Sequence, residues 1–518
     1  MTRSDSLNKL ETEFEWDVVV IGGGATGLGI ALDATSRKYK TLLVEQSDFA
    51  KSTSSKSTKL IHGGVRYLAQ GHFGLVREAS LERALLLKNA PHLVRNQTFV
   101  IPIYNWFNAF KYTLGLKFYD WISTRSSLGS ARFISRKKVL EQLPNINPDK
   151  LIGGVVYHDG QFDDARLAIN LAQTIFDEGG TAINYIKVIG LLKDDKGSII
   201  GTQLEDRETG HRYQVRSKAV VNATGVFADD ILRMDNSQAE KTIQVSQGTH
   251  VVIDKKFSPS AIAMMIPQTP DGRVLFMIPW YNKIVVGTTD SPVPFASLEP
   301  VPSAKEIEFI LETASMYLEN KPGKKDIDSV FAGLRPLAAQ KEEEKQTKEI
   351  SRNYKIITSS SRLFTIVGGK WTTYRKMGED MVNKIERKLH WKTKKPITAS
   401  LPIHGWKQQG NLSDPMSFYG SEAQSINDLI RNSPNDWLSK SLQLHKQQVI
   451  WAVKNEMART IEDVLARRTR ALLLDAKESL RIAPVVASVM AELLARDKSW
   501  IDQQVNDYSS LAKNYILV

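Results

Sequence analysis

The most informative absence in this 518-residue chain is cysteine, which does not occur at all. Without thiols the protein cannot form disulfides, cysteine-ligated zinc or iron–sulfur sites, a thiol nucleophile, or a flavin bond through sulfur. Long apolar runs are also missing, because charged residues interrupt each run before it reaches the roughly 20 residues of a membrane-spanning helix. The first 16 residues are polar and acidic and lack the apolar core of a secretory signal. We therefore expect a cytoplasmic protein.

Acidic residues are outnumbered by basic ones, with 57 Asp and Glu against 69 Lys and Arg, which gives a formal net charge of +12. This excess predicts an anionic partner, such as a phosphate group or an acidic membrane surface. Nucleic acid is not expected, because no recognised binding motif occurs and the basic residues are spread along the chain. We predict no metal site. The length allows about two to four domains.

The first half of the chain alternates short β-branched runs with helical stretches, which predicts a parallel α/β sheet. Residues 17–21 and 41–45 read as its first two strands, with a helix between them that extends to about residue 37. Residues 242–289 carry several strand-like runs typical of a separate, mostly antiparallel sheet. After about residue 400 strand signals are absent, and helical periodicity at 425–430, 442–456 and 479–495 predicts a helical C-terminal domain.

A glycine-rich turn follows the first predicted strand and opens the helix. Gly22, Gly24 and Gly27, with Ala25 and Thr26 between them, match the G-x-G-x-x-G pattern of dinucleotide-binding turns. The pyrophosphate of such a ligand lies on the helix N-terminus, where free N–H groups favour negative charge. Glu45 ends the next strand and can accept hydrogen bonds from a ribose while repelling a 2′-phosphate, so the pattern favours FAD or NAD over NADP.

A second turn of small residues, Ala223, Thr224 and Gly225, follows another apolar run at 219–222. Such a turn far downstream can cover the adenosine side of the same dinucleotide, an arrangement common in flavoproteins. An ordinary turn at the end of a strand explains this segment equally well when it is considered alone.

Nine segments, in chain order, carry a resemblance to a known family. They are STSSKSTKLIHGGVRYL at 52–68, DDARL at 163–167, NATG at 222–225, GTH at 248–250, IPW at 278–280, GTTD at 287–290, GLRPL at 333–337, GGKWTTYR at 368–375 and MARTIEDVLARRTR at 457–470. With them, nearly the whole chain resembles the FAD-dependent, respiratory glycerol-3-phosphate dehydrogenases.

The resemblance implies an α/β fold: a Rossmann-like FAD-binding domain, an antiparallel-sheet substrate domain like that of D-amino-acid oxidase, and a helical C-terminal domain. The implied oxidoreductase body covers residues 1–400, and the helical domain covers 401–518. Within the body, FAD-binding segments are expected at about 14–100, 150–240 and 355–390, and substrate-binding segments at about 100–150 and 240–355. The oligomeric state stays open, with a homodimer as one alternative.

The implied reaction is oxidation of sn-glycerol 3-phosphate to dihydroxyacetone phosphate by hydride transfer to FAD. The electrons then pass to a membrane quinone, because the charged loop at 341–348 is short and the long insertion of the oxygen-using oxidases is absent. A phosphate dianion needs fixed cations, for which the planar guanidinium of Arg is well suited. The resemblance implies substrate contacts from Arg66, Tyr67, Arg335, Arg352 and Lys370. Arg352, Arg66 and Tyr67 are expected nearer the phosphate, and Arg335 nearer the reacting hydroxyl.

The identity of the proton acceptor stays open at this point. His250 and His62 both lie in the family motifs, and an imidazole titrates near neutrality. Together with Arg335 and Lys370, His250 is our candidate catalytic residue, whereas water is the alternative acceptor if Arg335 lowers the pKa of the hydroxyl.

The resemblance also implies a set of flavin-contacting residues beyond the glycine turn. Hydroxyl and backbone amide groups suit the path along the pyrophosphate and ring, although a serine-rich run without the glycine turn would be interpreted as a flexible loop. The implied residues are Thr53, Ser54, Ser55, Ser57, Leu60, His62, Gly63, Val188, Ala223, Thr224, Gly225, Gly369, Thr372 and Thr373.

An aromatic segment at 101–122 is followed by basic residues up to 138. Aromatic side chains with nearby cations are typical of a surface that lies on anionic lipid. An aromatic core stripe between domains is an almost equally good interpretation. A lipid-contacting segment would place the enzyme on the inner face of the cell membrane, within reach of a quinone.

Other functions fit the same residues less well. A glycerol-3-phosphate oxidase would pass electrons to oxygen and make hydrogen peroxide. A flavin amine or amino-acid oxidase is disfavoured, because a basic pocket repels a cationic amine. A flavin-containing sensor without turnover is disfavoured by the presence of Arg335, Lys370 and His250.

Overall fold

The computed structural model describes residues 2–64, 73–123, 127–269, 272–339, 354–408 and 416–517. Two sheets and a helical C-terminal part make up these residues, which confirms the predicted fold class. The helices are Arg3–Thr12, Ala25–Ser36, Phe73–Asn89, Trp106–Ile122, Arg136–Gln142, Asp164–Asp177, Ala228–Asp235, Ala304–Ser315, Tyr374–Lys388, Ala423–Arg431, Lys446–Asn455, Ala471–Leu474, Ala476–Leu494 and Lys498–Ala512.

The first sheet has a parallel core built from the predicted βαβ alternation. Four of its pairings are parallel, and an antiparallel strand joins at one edge. The strands Ile186–Lys193 and Ile199–Asp206 extend it as an antiparallel pair. In spatial order the main path is Lys355–Thr358, Leu363–Val367, Arg212–Asn222, Glu15–Ile21, Thr41–Val44 and Thr181–Ile183.

The second sheet has ten strands and is antiparallel, apart from the parallel pairing of Ala263–Ile266 with Val94–Ile103. Ile327–Ala338 pairs with Ile243–Asp254, and Arg132–Ser135 pairs with Gly153–Phe162. The main path is Ser291–Val293, Ile243–Asp254, Lys283–Gly287, Leu275–Trp280, Ala263–Ile266, Val94–Ile103, Gly153–Phe162 and Leu60–Ile61. The expected domain limits stay a prediction, although Gly153–Phe162 lies in this sheet rather than with the parallel strands.

The C-terminal part is helical, but the expectation that it contains no strands is wrong. Trp437–Ser439 and Leu444–His445 form a short hairpin, and the helix predicted from residue 442 begins only at Lys446. It begins there because the His445 side chain caps it, accepting a hydrogen bond from the Gln447 backbone at 3.1 Å. The helix Lys498–Ala512 was not predicted.

The C-terminal helices share a core with one end of the antiparallel sheet. Val252, Trp280, Val285 and Phe331 of the sheet are buried against apolar side chains of these helices. None of the helices in the described parts of the chain is long and apolar enough to cross a bilayer.

Candidate functional site

The glycine turn takes the conformation that its sequence predicts. Gly22 directly follows the Glu15–Ile21 strand with φ +111°, a value that favours glycine. A Cβ atom at Gly27 would lie 1.8 Å from the Gly22 carbonyl oxygen, so strand and helix approach closely there. The helix Ala25–Ser36 then begins, and its N-terminus is a ready site for a phosphate anion.

Glu45 lies beside this turn, one residue after the Thr41–Val44 strand. Its carboxylate accepts hydrogen bonds from the Gly23 backbone at 2.7 Å and from the Ser47 backbone at 2.9 Å. Burial raises the pKa of Glu45, and the two N–H donors offset part of that effect. Val188 is buried in the hydrophobic cluster that contains Val44.

The second small-residue turn meets the first at the same edge of the parallel sheet. A Cβ atom at Gly22 would lie 2.7 Å from the Ala223 carbonyl oxygen, which shows how closely the two turns approach. Asn222 holds the second turn, since its Oδ1 accepts hydrogen bonds from the Thr224 backbone at 3.3 Å and hydroxyl at 2.7 Å. Gly225 has φ +60°, and a Cβ atom there would meet no atom of the described residues within 4 Å.

The serine-rich segment crosses from the parallel sheet to the antiparallel sheet. The Ser54 hydroxyl accepts a hydrogen bond from the Ala25 backbone at 2.9 Å, at the N-terminus of the helix. The Thr53 hydroxyl donates to the Leu334 carbonyl oxygen at 2.7 Å, on the strand that carries Arg335. Ser55 is buried. These bonds make the segment an ordered bridge rather than a flexible loop.

A buried ion pair anchors the end of this segment. Lys59 Nζ lies 2.7 Å from Asp164 Oδ1, and both side chains are fully buried. Ser57 donates two further hydrogen bonds to Asp164, from its backbone and its hydroxyl. Asp164 and Lys59 were not among the predicted site residues, although both lie in the family motifs.

The residues after Lys59 enter the antiparallel sheet. Leu60 is paired opposite Gln161 in the strand Leu60–Ile61. Half-buried His62 follows, and the Gly63 backbone donates a hydrogen bond to Asp159 Oδ1 at 3.2 Å. A Cβ atom at Gly63 would lie 2.0 Å from the Tyr119 hydroxyl oxygen, so glycine is required by the close packing there.

Lys370 follows the Leu363–Val367 strand and two glycines with positive φ, and it directly precedes a short helical turn. A Cβ atom at Gly369 would lie 2.3 Å from the terminal carbon of Met377. Thr372 is buried in the turn, and the Thr373 hydroxyl donates to the Lys370 carbonyl oxygen at 3.4 Å.

Trp371, the neighbour of Lys370, ties this turn to the serine-rich segment. Its Nε1 donates to the Ser54 carbonyl oxygen at 2.8 Å. The serine-rich segment therefore contacts both the neighbour of Lys370 and the neighbour of Arg335.

Arg335 lies across the antiparallel sheet, and four acceptors in the described parts of the chain hold its guanidinium. Its Nη1 donates to the Gln247 carbonyl oxygen at 3.2 Å and to Asp290 Oδ1 at 3.1 Å. Its Nη2 donates to the Thr288 hydroxyl at 3.2 Å and the Thr289 carbonyl oxygen at 3.0 Å. The side chain is 19% exposed, so the cation is fixed in place yet reachable by a ligand.

His250 is on the adjacent strand and is almost fully buried. Its ring stacks on Phe331 with a centroid distance of 4.7 Å, and its Nε2 lies 2.9 Å from the Thr58 hydroxyl. Burial lowers the pKa of His250 well below its usual value, and the charges of Arg335 and Lys59 lower it further. The imidazole is therefore neutral at pH 7. Thr58 was not predicted, since its hydroxyl gives no sequence signal beyond the serine-rich run.

Three predicted substrate contacts, Arg66, Tyr67 and Arg352, lie outside the described residues. The described residues contain no group of three or more His, Asp or Glu side chains that could hold a metal ion.

These residues fit FAD as a cofactor. The glycines of the turn at 22–27 leave no room for a Cβ atom against Ala223, Glu45 or the Gly22 carbonyl oxygen, so backbone lines the turn, and the Ala25–Ser36 helix directs its N-terminus there. The serine-rich segment then leads from this turn to the sheet face that carries Arg335 and His250.

Two family profiles match the chain. The profile described as FAD dependent oxidoreductase matches residues 17–375. The profile described as C-terminal domain of alpha-glycerophosphate oxidase matches residues 363–501.

Full-length relatives and a solved structure agree with these profiles. The probable mitochondrial glycerol-3-phosphate dehydrogenase of Dictyostelium discoideum is 37% identical over 98% of this chain and 86% of its own length. The human mitochondrial glycerol-3-phosphate dehydrogenase is 35% identical over 99% of this chain and 75% of its own length. The structure of the Bacillus halodurans enzyme complexed with FAD has a TM-score of 0.80 and 28% identity, covering 99% of this chain and 98% of that one. The chain therefore belongs to the family of FAD-dependent glycerol-3-phosphate dehydrogenases.

Proposed function

We propose that the protein oxidises sn-glycerol 3-phosphate to dihydroxyacetone phosphate and passes the electrons to a membrane quinone. The observation that carries this proposal is the placement of Arg335 beside His250, where the serine-rich segment meets the sheet. A fixed cation next to a neutral imidazole suits the removal of a proton from an alcohol.

The reaction removes a hydride from C2 and a proton from the C2 hydroxyl. FAD, when bound, accepts the hydride. The Arg335 guanidinium stabilises the negative charge that develops on the hydroxyl oxygen as the proton leaves. Its four acceptors keep it in position, so little reorganisation is needed during the reaction.

His250 is the group that we assign to take the proton. Its Nδ1 has no hydrogen-bond partner among the described residues, while Nε2 meets Thr58. Because Nδ1 is buried out of reach of a ligand, Nε2 is the nitrogen that we assign to accept the proton, through the Thr58 hydroxyl. The depressed pKa keeps the ring in this accepting form at neutral and mildly acidic pH.

The substrate phosphate is assigned to Lys370 together with Arg66, Tyr67 and Arg352. This assignment rests on the family resemblance, because three of the four residues lie outside the described parts of the chain. Multiple cations are the arrangement that a phosphate dianion requires.

The aromatic helix Trp106–Ile122 supports a membrane-bound acceptor. Trp106, Phe107, Phe110 and Trp121 are each about two-thirds or more exposed. A core stripe between domains is therefore the wrong interpretation of these four side chains. Exposed aromatics on one helix, with exposed Lys111 and Lys117 among them, suit an anionic lipid surface. We propose that this face holds the enzyme on the inner side of the cell membrane.

The oxidase is the second candidate, because the matching C-terminal profile is named after alpha-glycerophosphate oxidase. The products formed during turnover distinguish the dehydrogenase from the oxidase. The dehydrogenase reduces a short-chain quinone with glycerol 3-phosphate and forms no hydrogen peroxide in air, whereas the oxidase forms one hydrogen peroxide per substrate without a quinone. Glycerol, which lacks the phosphate, serves as the matched control and should give no turnover. Equal rates with glycerol and glycerol 3-phosphate would contradict the assigned substrate.

A further inference from the structure

A cavity of about 580 Å³ lies between the antiparallel sheet and the C-terminal helices. The sheet contributes Arg95 and Trp280 to its walls, the turn after Trp280 contributes Tyr281, and the C-terminal part contributes Phe418 and Arg470. This volume falls within the range of about 300–1,000 Å³ that is typical of small-molecule sites. None of the residues that we assign to the reaction lines it.

Positive charge exceeds negative charge on the cavity wall. Its charged residues are Arg95, Lys255, Arg470 and Asp163. Arg470 Nε lies 3.0 Å from Asp163 Oδ2, so this pair is neutral as a unit. Arg95 and Lys255 remain as the excess cations.

Arg95 is half-buried, and among the described residues its guanidinium donates hydrogen bonds only to neutral oxygens. Its Nε donates to Gln161 Oε1 at 2.5 Å and its Nη2 to the Pro279 carbonyl oxygen at 3.4 Å. Burial lowers the pKa of Arg95, which reflects the cost of removing its charge from water. An anion in the cavity would offset that cost.

His92 lies on the same wall. Burial, together with the charges of Arg166 and His404, lowers the pKa of His92 to about 3. Its ring is therefore neutral and does not add to the positive charge of the wall.

The backbone of the wall is strained at three positions. Tyr281, Gln443 and Arg470 all line the cavity, and each has a positive φ, between 49° and 59°. Residues other than glycine adopt this region at an energetic cost, and such residues cluster at ligand-binding and other functional sites. The flat rings of Trp280, Tyr281 and Phe418 supply apolar surface next to the cations.

We propose that this cavity is a second binding site, which takes a small organic anion, a carboxylate or phosphate ester carrying a flat apolar group. Arg95 binds the anionic group, and the aromatic wall packs against the apolar part. The centroid of the Trp280 ring also lies 5.0 Å from Lys59 Nζ, next to the ion pair that anchors the serine-rich segment.

Naphthalene-2-carboxylate is the probe for this site, measured by calorimetry on the FAD-loaded enzyme with saturating dihydroxyacetone phosphate present. We expect it to bind, and to bind at least about tenfold more tightly than neutral naphthalene-2-carboxamide. Arg95→Gln and the cavity-filling Leu442→Trp should each weaken binding at least about tenfold, whereas Arg132→Gln, which removes an exposed arginine, should not. Flavin absorbance and melting temperature verify that each variant is folded.

Three results would overturn the proposal. They are no binding of naphthalene-2-carboxylate or phenyl phosphate at millimolar concentration, probe binding that is seen only when dihydroxyacetone phosphate is left out, and unchanged affinity in both Arg95→Gln and Leu442→Trp. Because the assay needs no turnover, failure here is distinguishable from failure of the proposed dehydrogenase activity.

Discussion

Arg335 and His250 lie on adjacent antiparallel strands, and each side chain crosses a glycine of the neighbouring strand. A Cβ atom at Gly248 would lie 2.3 Å from Arg335 Nη2, and one at Gly287 would lie 2.4 Å from His250 Cδ2. Two glycines thus leave the space in which the cation and the imidazole lie flat on the sheet. This arrangement is the structural basis of the chemistry that we assign to the site.

Arg335→Ala should abolish most turnover without releasing the cofactor. Removing a fixed donor at the developing charge lowers kcat by at least about 100-fold. The guanidinium does not contribute to the glycine turn, so the flavin absorbance per protein should stay at the wild-type level. Steady-state kinetics and the visible spectrum measure both. A colourless variant would show that Arg335 acts in cofactor binding.

Gly248→Ala tests the close approach itself. The added methyl group displaces the flexible end of Arg335 from Thr288, so we expect a folded, flavin-loaded enzyme with kcat lowered at least about tenfold. Gly74→Ala is the matched control, since a Cβ atom there meets nothing within 4 Å. Equal kcat values for the two variants would contradict the assigned position of Arg335.

His404 should make the stability of the protein depend on pH. Burial alone would lower the pKa of His404, but Asp177 at 2.7 Å and Glu422 at 3.2 Å outweigh it and raise the pKa to about 9. The folded-state pKa exceeds the unfolded value, so the stabilisation is fully present below pH 6.5 and is lost as the pH rises through about 9. Melting temperature should therefore fall over this window. His404→Gln should flatten the slope, and His211→Gln, at an exposed site, should leave it unchanged.

The aromatic helix should mediate binding to anionic vesicles. Replacing both Phe107 and Phe110 by Ser removes two exposed rings, and we expect vesicle affinity to fall at least about tenfold. Phe295→Ser is the control, because Phe295 is 81% exposed but lies outside this helix. Co-sedimentation with phosphatidylserine-containing vesicles gives the affinities. Equal losses in the control and the double variant would mean that the helix has no special role.

Local patterns predicted the parts of the site that depend on local geometry. The turn from Gly22 to Gly27 could be predicted because the spacing of its glycines, the strand before it and the helix after it all lie within one short stretch of the chain. The Lys59–Asp164 ion pair could not, since its partners are separated by 105 residues and meet only in the folded chain. The contact between Thr58 and His250 spans 192 residues and was missed for the same reason.

The exposure of side chains to solvent was a second feature that could not be predicted from the sequence. An aromatic stripe has the same spacing whether it faces a core or a membrane, so the two interpretations of the Trp106–Ile122 helix could be separated only by the fold. The hairpin of Trp437–Ser439 with Leu444–His445 was not predicted, because strands of three and two residues are too short to show an alternation of apolar and polar side chains.

Anaerobic addition of glycerol 3-phosphate to the FAD-loaded protein tests the central claim most directly. The account predicts that the flavin absorbance near 450 nm bleaches, and that one dihydroxyacetone phosphate forms per flavin reduced. An unchanged spectrum with glycerol 3-phosphate, in a sample whose flavin dithionite reduces fully, would contradict it.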